Sequence, residues 1–130
     1  MRRRPLRRIL LVEDDPDIQT VASLALQEVG GYTVRVCGSA RDAVRTAPAF
    51  GPDLILLDVL LPGMDGTTAF EELRRLPATA RTPVVFMTAK VQPQELARYD
   101  RLGSLGVVAK PFDPMRLSDT LEGFWRERHG

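Results

Sequence analysis

Cysteine and histidine are almost missing from this chain, which holds one of each, Cys37 and His129. A lone cysteine excludes an intrachain disulfide and points to a reducing compartment, with Cys37 read as a small apolar strand residue. Without His and Cys clusters there is no zinc or iron ligand set. Long apolar runs are missing too. The Arg-rich start leads only to Ile9-Leu10-Leu11-Val12 before acids intervene, too short for a signal-peptide core, and nothing approaches the ~20 apolar residues that span a bilayer. The expectation is a soluble, cytoplasmic protein with no membrane partner. Nor is there strong net charge: +1 at pH 7 gives no overall field for nucleic acid. Five of the first eight residues are Arg (Arg2, Arg3, Arg4, Arg7, Arg8), and this basic arm, residues 1–8, is expected to be a solvated, partly disordered terminus rather than a nucleic-acid contact.

What is present suits one compact unit. The 130 residues are 44% hydrophobic, and single domains commonly hold ~100 to 150 residues. Ile9–Val12 is a short β-rich run stopped by Glu13-Asp14-Asp15, after which Pro16 opens a helix with Ile18, Val21, Ala22, Ala25, Leu26 and Val29 on one apolar face. Gly30-Gly31 ends it with positive dihedrals. Residues 32–36 alternate as a strand, and Ser39 with Asp42 caps a helix carrying Ala43, Val44 and Ala47. Leu54–Leu57 is continuously apolar, as a parallel strand covered on both faces should be. A turn-rich segment, residues 62–66, leads to a helix with Ala69, Phe70, Leu73 and Leu76 inward, stopped by Pro77. Residues 84–87 form strand four, Pro93 opens a helix closed by Gly103, and residues 106–109 form strand five. Asp113-Pro114 then starts a last helix with Leu117, Leu121, Phe124 and Trp125 inward. Its basic end, Arg126, Arg128 and His129, complements the helix dipole and needs no ligand.

Five βα units with short connections predict an α/β fold: a doubly wound, five-stranded parallel sheet. Such sheets bind ligands at the carboxyl ends of their strands. Those ends carry Glu13 and Asp14, then Asp58, Thr88, and Lys110-Pro111. Acids gathered there repel one another unless a hard cation joins them, and Mg²⁺ prefers oxygen ligands. Asp58, placed straight after an apolar strand, is the most chemical of the set, because a carboxylate is costly to desolvate without a task.

Four motifs in register, Leu11-Val12-Glu13-Asp14-Asp15, residues 56–66 (LLDVLLPGMDG), Met87-Thr88-Ala89 and Lys110-Pro111-Phe112, resemble the receiver domain of two-component response regulators, with a stand-alone, CheY-like, flavodoxin-like (βα)5 fold over residues 9–127. The resemblance implies that Asp58 accepts a phosphoryl group from a phosphohistidine on a sensor histidine kinase or histidine phosphotransfer protein. It implies that Asp14, Asp58 and the Leu60 backbone carbonyl ligate Mg²⁺, that Glu13 holds a metal-bound water, and that Thr88 and Lys110 meet phosphoryl oxygens. Asp15 is in register a helix cap. The Lys110-Pro111 bond is expected to be cis. The output is expected to be an unknown downstream protein, with a weak homodimer possible and no nucleic acid bound.

The chain departs from the family at Val107, three residues before Lys110, where a Tyr or Phe usually swings inward behind the threonine. Leu60 and Lys90, each two residues past a site residue, are expected to tune dephosphorylation. Because the chain runs to Gly130 with no DNA-binding helix-turn-helix, a stand-alone receiver is expected, acting as a phosphoryl-controlled binding module or carrier. It is not expected to be an enzyme beyond its own phosphorylation and dephosphorylation. A receiver cut from a larger regulator would look the same. A haloacid dehalogenase-type phosphohydrolase would need an Asp where Leu60 stands, and a degenerate scaffold would lack one of the five site residues.

Overall fold

In a computed structural model, which describes residues 4–129, the elements alternate as β1 (Arg8–Val12), α1 (Pro16–Leu24), β2 (Thr33–Cys37), α2 (Ala40–Phe50), β3 (Leu54–Asp58), α3 (Gly66–Arg75), β4 (Val84–Thr88), α4 (Pro93–Leu102), β5 (Gly106–Ala109) and α5 (Leu117–His129). All five strands are parallel in the order β2-β1-β3-β4-β5. The expected doubly wound sheet is therefore the observed one. Alternation along the strands sends Leu10, Val12, Ile55, Leu57, Val84 and Phe86 to one core, and Ile9, Leu11, Leu54, Leu56, Val85 and Met87 to the other. Strand β3 is buried along its whole length, which explains its unbroken apolar run. The winding reverses between β1 and β3, and the register pairs Val12 with Leu57 and Asp58 with Met87. Residues 13, 58, 88 and 110 thereby reach one edge.

Local signals in the sequence are met at most helix ends. The Asp15 carboxylate accepts from the Asp17 and Ile18 amides, Ser39 Oγ accepts from the Asp42 amide, and Gly103 ends α4 in the left-handed region. The turn before α3 depends on Gly66. A Cβ there would sit 2.5 Å from Asp58 O and 2.6 Å from Val59 Cα, so only glycine lets the helix start against the end of β3.

Three expectations need correction. The first helix does not keep one apolar stripe. After Leu24 it widens into a π-helical turn, Ala25–Val29, with the Gly30 amide bonded to Ala25 O at 3.3 Å. Ala22, Ala25 and Leu26 are buried at ordinary helical spacing; Val21, before the wide turn, is 43% exposed, and Val29, at the end of it where the helical phase has shifted, is 47% exposed. Of the two glycines only Gly31 takes a positive φ. The last helix begins at Leu117 rather than at Asp113-Pro114. Asp113 instead holds the turn before it, accepting from the Met115 amide.

The basic arm is also more tied than a solvated terminus. Arg2 and Arg3 lie outside the described residues. Beyond them, Asp53 Oδ2 accepts from the Arg7 and Arg8 amides at 3.0 and 2.8 Å, and its Oδ1 meets Arg4 Nη2 at 2.9 Å. The Arg8 guanidinium donates to Phe50 O and lies 4.2 Å over the Phe50 ring. Trp125 Nε1 donates to Arg4 O. No described helix is long and apolar enough to cross a membrane.

Urea denaturation of two variants checks these contacts. Asp53→Ala strands two backbone donors and is expected to cost about 2–3 kcal/mol, whereas Arg4→Ala, whose side chain is 73% exposed, is expected to cost under ~1 kcal/mol; equal costs would contradict this division. Gly66→Ala must push backbone aside and is expected to cost about 1–3 kcal/mol, and no measurable loss would show that the turn has slack.

Candidate functional site

The carboxyl edge gathers charge in a small space. Glu13 is 1% exposed, yet its polar groups are all engaged. Its amide donates to Cys37 O at 3.0 Å, its carbonyl accepts from Gln19 Nε2 at 2.6 Å, Oε2 accepts from the Asp15 amide at 3.1 Å, and Oε1 meets Lys110 Nζ at 2.7 Å. The same ammonium lies 2.9 Å from Asp58 Oδ2, while Asp58 Oδ1 accepts from the Leu60 amide at 3.1 Å. One cation from the end of β5 thus bridges buried carboxylates at the ends of β1 and β3. Lys110 is itself held by its amide, which donates to Thr88 O at 2.9 Å, and the Lys110-Pro111 bond is cis.

The electrostatics follow from burial. Desolvation pushes the Glu13 pKa up, although the hydrogen bond from Lys110 opposes it. Burial alone would lower the Lys110 pKa, but the hydrogen bonds and charges of Glu13 and Asp58 outweigh it and hold the ammonium protonated. With all groups ionised, the three carboxylates exceed the single bridging ammonium by two charges.

Asp14 is exposed, and one oxygen from each of Glu13, Asp14 and Asp58 lies within 4.8 Å of the others. An all-oxygen donor set of net negative charge suits a hard divalent cation such as Mg²⁺. Asp15 is outside this group, its carboxylate spent on the cap of α1. Thr88 is 4% exposed, and its Oγ1 accepts from the Lys90 amide at 3.0 Å. The sheet therefore brings Glu13, Asp14, Asp58, Thr88 and Lys110 to one edge, as the motifs predicted. The Leu60 amide stands beside the Asp58 carboxylate while its side chain is 71% exposed.

Gln19 escaped the sequence reading. The available signal was a polar residue one turn inside α1, where a side chain leans back toward the helix start and so toward the end of β1. On the other face, Val107 is half-buried beside Phe86, its partner across β4 and β5. Two rings pack on Phe86: Tyr99 from α4, 2% exposed, with its centroid 5.0 Å away, and Phe70 from α3, with its centroid 5.6 Å away. Between Lys110 and Asp17 opens a mostly apolar cavity of about 410 Å³ lined also by Ile18, Val21, Ala89, Pro111 and Phe112.

Known proteins share this fold. The chemotaxis protein CheY4 of Vibrio cholerae superposes with a TM-score of 0.84 at 28% identity, over 92% of this chain and 99% of that one. The receiver domain of the sensor histidine kinase PA1611 from Pseudomonas aeruginosa, solved with a magnesium ion coordinated in its active site cleft, superposes at 0.81 with 33% identity over 94% and 99%. The DNA-binding dual master transcriptional regulator RpaA of Synechocystis is 39% identical over 106 residues, 82% of this chain but 44% of its own length. The chain thus spans less than half of that curated relative. The response regulator receiver domain family matches residues 9–122, and the chain belongs to it.

Proposed function

We propose that this receiver takes a phosphoryl group from a phosphohistidine onto Asp58, with Mg²⁺ held by Asp14, Asp58 and the Leu60 carbonyl and with Glu13 on a metal-bound water. The observation that carries the reading is the Lys110 ammonium bridging Glu13 and Asp58, with a third carboxylate within 4.8 Å. An Asp58 oxygen attacks phosphorus, the phosphorus–nitrogen bond breaks, and the imidazole leaves with the electron pair. A bound Mg²⁺ would neutralise charge on a phosphoryl oxygen. Lys110 exchanges its Asp58 contact for a second oxygen, and the Thr88 hydroxyl turns from the Lys90 amide toward a third. The phosphoryl group adds nearly two negative charges to an acidic cluster, so the loop after Thr88 must rearrange.

Receiver domains pair with histidine kinases. For this chain the donor would be a sensor kinase or histidine phosphotransfer protein in the cytoplasm, and the cavity beside Lys110 supports its seat, being an apolar surface next to the acceptor. The phosphorylated unit, residues 9–127 with the arm 1–8 ahead of it, then acts on a downstream protein or on a second copy through α4, β5 and α5. Val107 offers no ring to turn inward, so movement of the Thr88 loop itself is the signal.

Incubation with Mg²⁺ and a small phosphodonor tests this. One label per chain is expected, lost in Asp58→Asn and on chelation. Turnover of many equivalents would indicate a hydrolase, and no labelling a scaffold. The exposed Leu60 and Lys90 set the label's lifetime: replacing both with smaller polar residues is expected to change its half-life, and an unchanged half-life would refute that role.

A further inference from the structure

The Glu13-Asp14 peptide is where the candidate metal site meets the backbone. Asp14 is exposed, so no packed surroundings fix its carboxylate. Its place within 4.8 Å of Glu13 and Asp58 is inherited from the peptide plane before it. That plane is set by the Glu13 carbonyl, and Gln19 Nε2 donates to this oxygen at 2.6 Å. A carbonyl only accepts, so the amide nitrogen must face it and the Gln19 orientation is fixed. Asp15 completes the bracket by capping α1 through Asp17 and Ile18. The helix therefore grips the acidic loop at both ends, by Asp15 from the loop and by Gln19 from the helix.

Three consecutive carboxylates in one loop repel each other, and without a fixed peptide plane they would spread. A cation arriving at a spread loop must first gather it, which lowers apparent affinity by the fraction of chains already gathered. We propose that Gln19 is a positioning residue that holds the Glu13-Asp14 peptide so that Asp14 and Glu13 are gathered before a divalent cation binds. This rests on reading Glu13, Asp14 and Asp58 as the metal and phosphoryl site.

Calorimetric titration with Mg²⁺ tests it on two near-isosteric variants. Gln19→Met removes the donor at no change of charge, and is expected to weaken Mg²⁺ by about three- to tenfold, the worth of one neutral hydrogen bond. Gln19→Glu sets a carboxylate against the carbonyl. If charge alone mattered, this variant would bind Mg²⁺ more tightly than the parent; positioning predicts weaker binding. Metal-free amide exchange at Asp14 and Asp15 is expected to quicken in Gln19→Met while the β3 amides keep their protection. The Mg²⁺ concentration for half-maximal labelling of Asp58 should rise by the same factor as the dissociation constant. Parent-like Mg²⁺ affinity and exchange in Gln19→Met, or tighter binding in Gln19→Glu, overturns the inference. Should Gln19→Met fail to fold, Gln19→Glu decides alone. A parent protein that binds Mg²⁺ but is never labelled would refute the phosphoryl function and leave the Gln19 comparison standing.

Discussion

A single ammonium held between two buried carboxylates is the interaction on which the rest depends. Lys110 comes from the end of β5, Glu13 from the end of β1 and Asp58 from the end of β3, so the bridge spans the sheet at its carboxyl edge. Burying Glu13 is expensive for its charge, and that desolvation pushes its pKa up. Lys110 offsets part of that cost through a short charged hydrogen bond, but it cannot neutralise three acids. The residual negative charge on an all-oxygen donor set suits a hard divalent cation.

The fold was legible because burial wrote itself into the strands. Leu54–Leu57 reads as apolar without alternation because both faces of β3 are covered, and helix starts carry local hydrogen-bonding signals such as Asp15 and Ser39. The π-helical turn at Ala25–Val29 was not legible. Nothing in the apolar spacing of residues 18–29 marks it, and Ala25 O, where it begins, accepts from Ser118 Oγ, 93 residues away in sequence. The tie of the N-terminal arm was hidden for a similar reason: Asp53 collects the Arg7 and Arg8 amides from 46 and 45 residues away in sequence.

The site divides in the same way. That Glu13, Asp14, Asp58, Thr88 and Lys110 meet at one edge was readable because each follows a strand of the βα series and a parallel sheet puts all its carboxyl ends on one side. Gln19 was not, because its work is done through a side-chain contact with a main-chain oxygen and any helix position facing the strand end looks alike in sequence. Val107 was visible as a departure, but only the structure shows which rings pack on its neighbour Phe86, namely Tyr99 from α4 and Phe70 from α3. Helix α4 has Tyr99 as its one buried residue, an arrangement suited to local movement.

The central claim is that Asp58 is the residue that becomes phosphorylated. Trapping the acyl phosphate by hydride reduction after exposure to a small phosphodonor and Mg²⁺, then mapping the modified peptide by mass spectrometry, tests it directly. The account predicts modification at Asp58 alone; modification at Asp14, Asp15 or His129 with Asp58 untouched would contradict it.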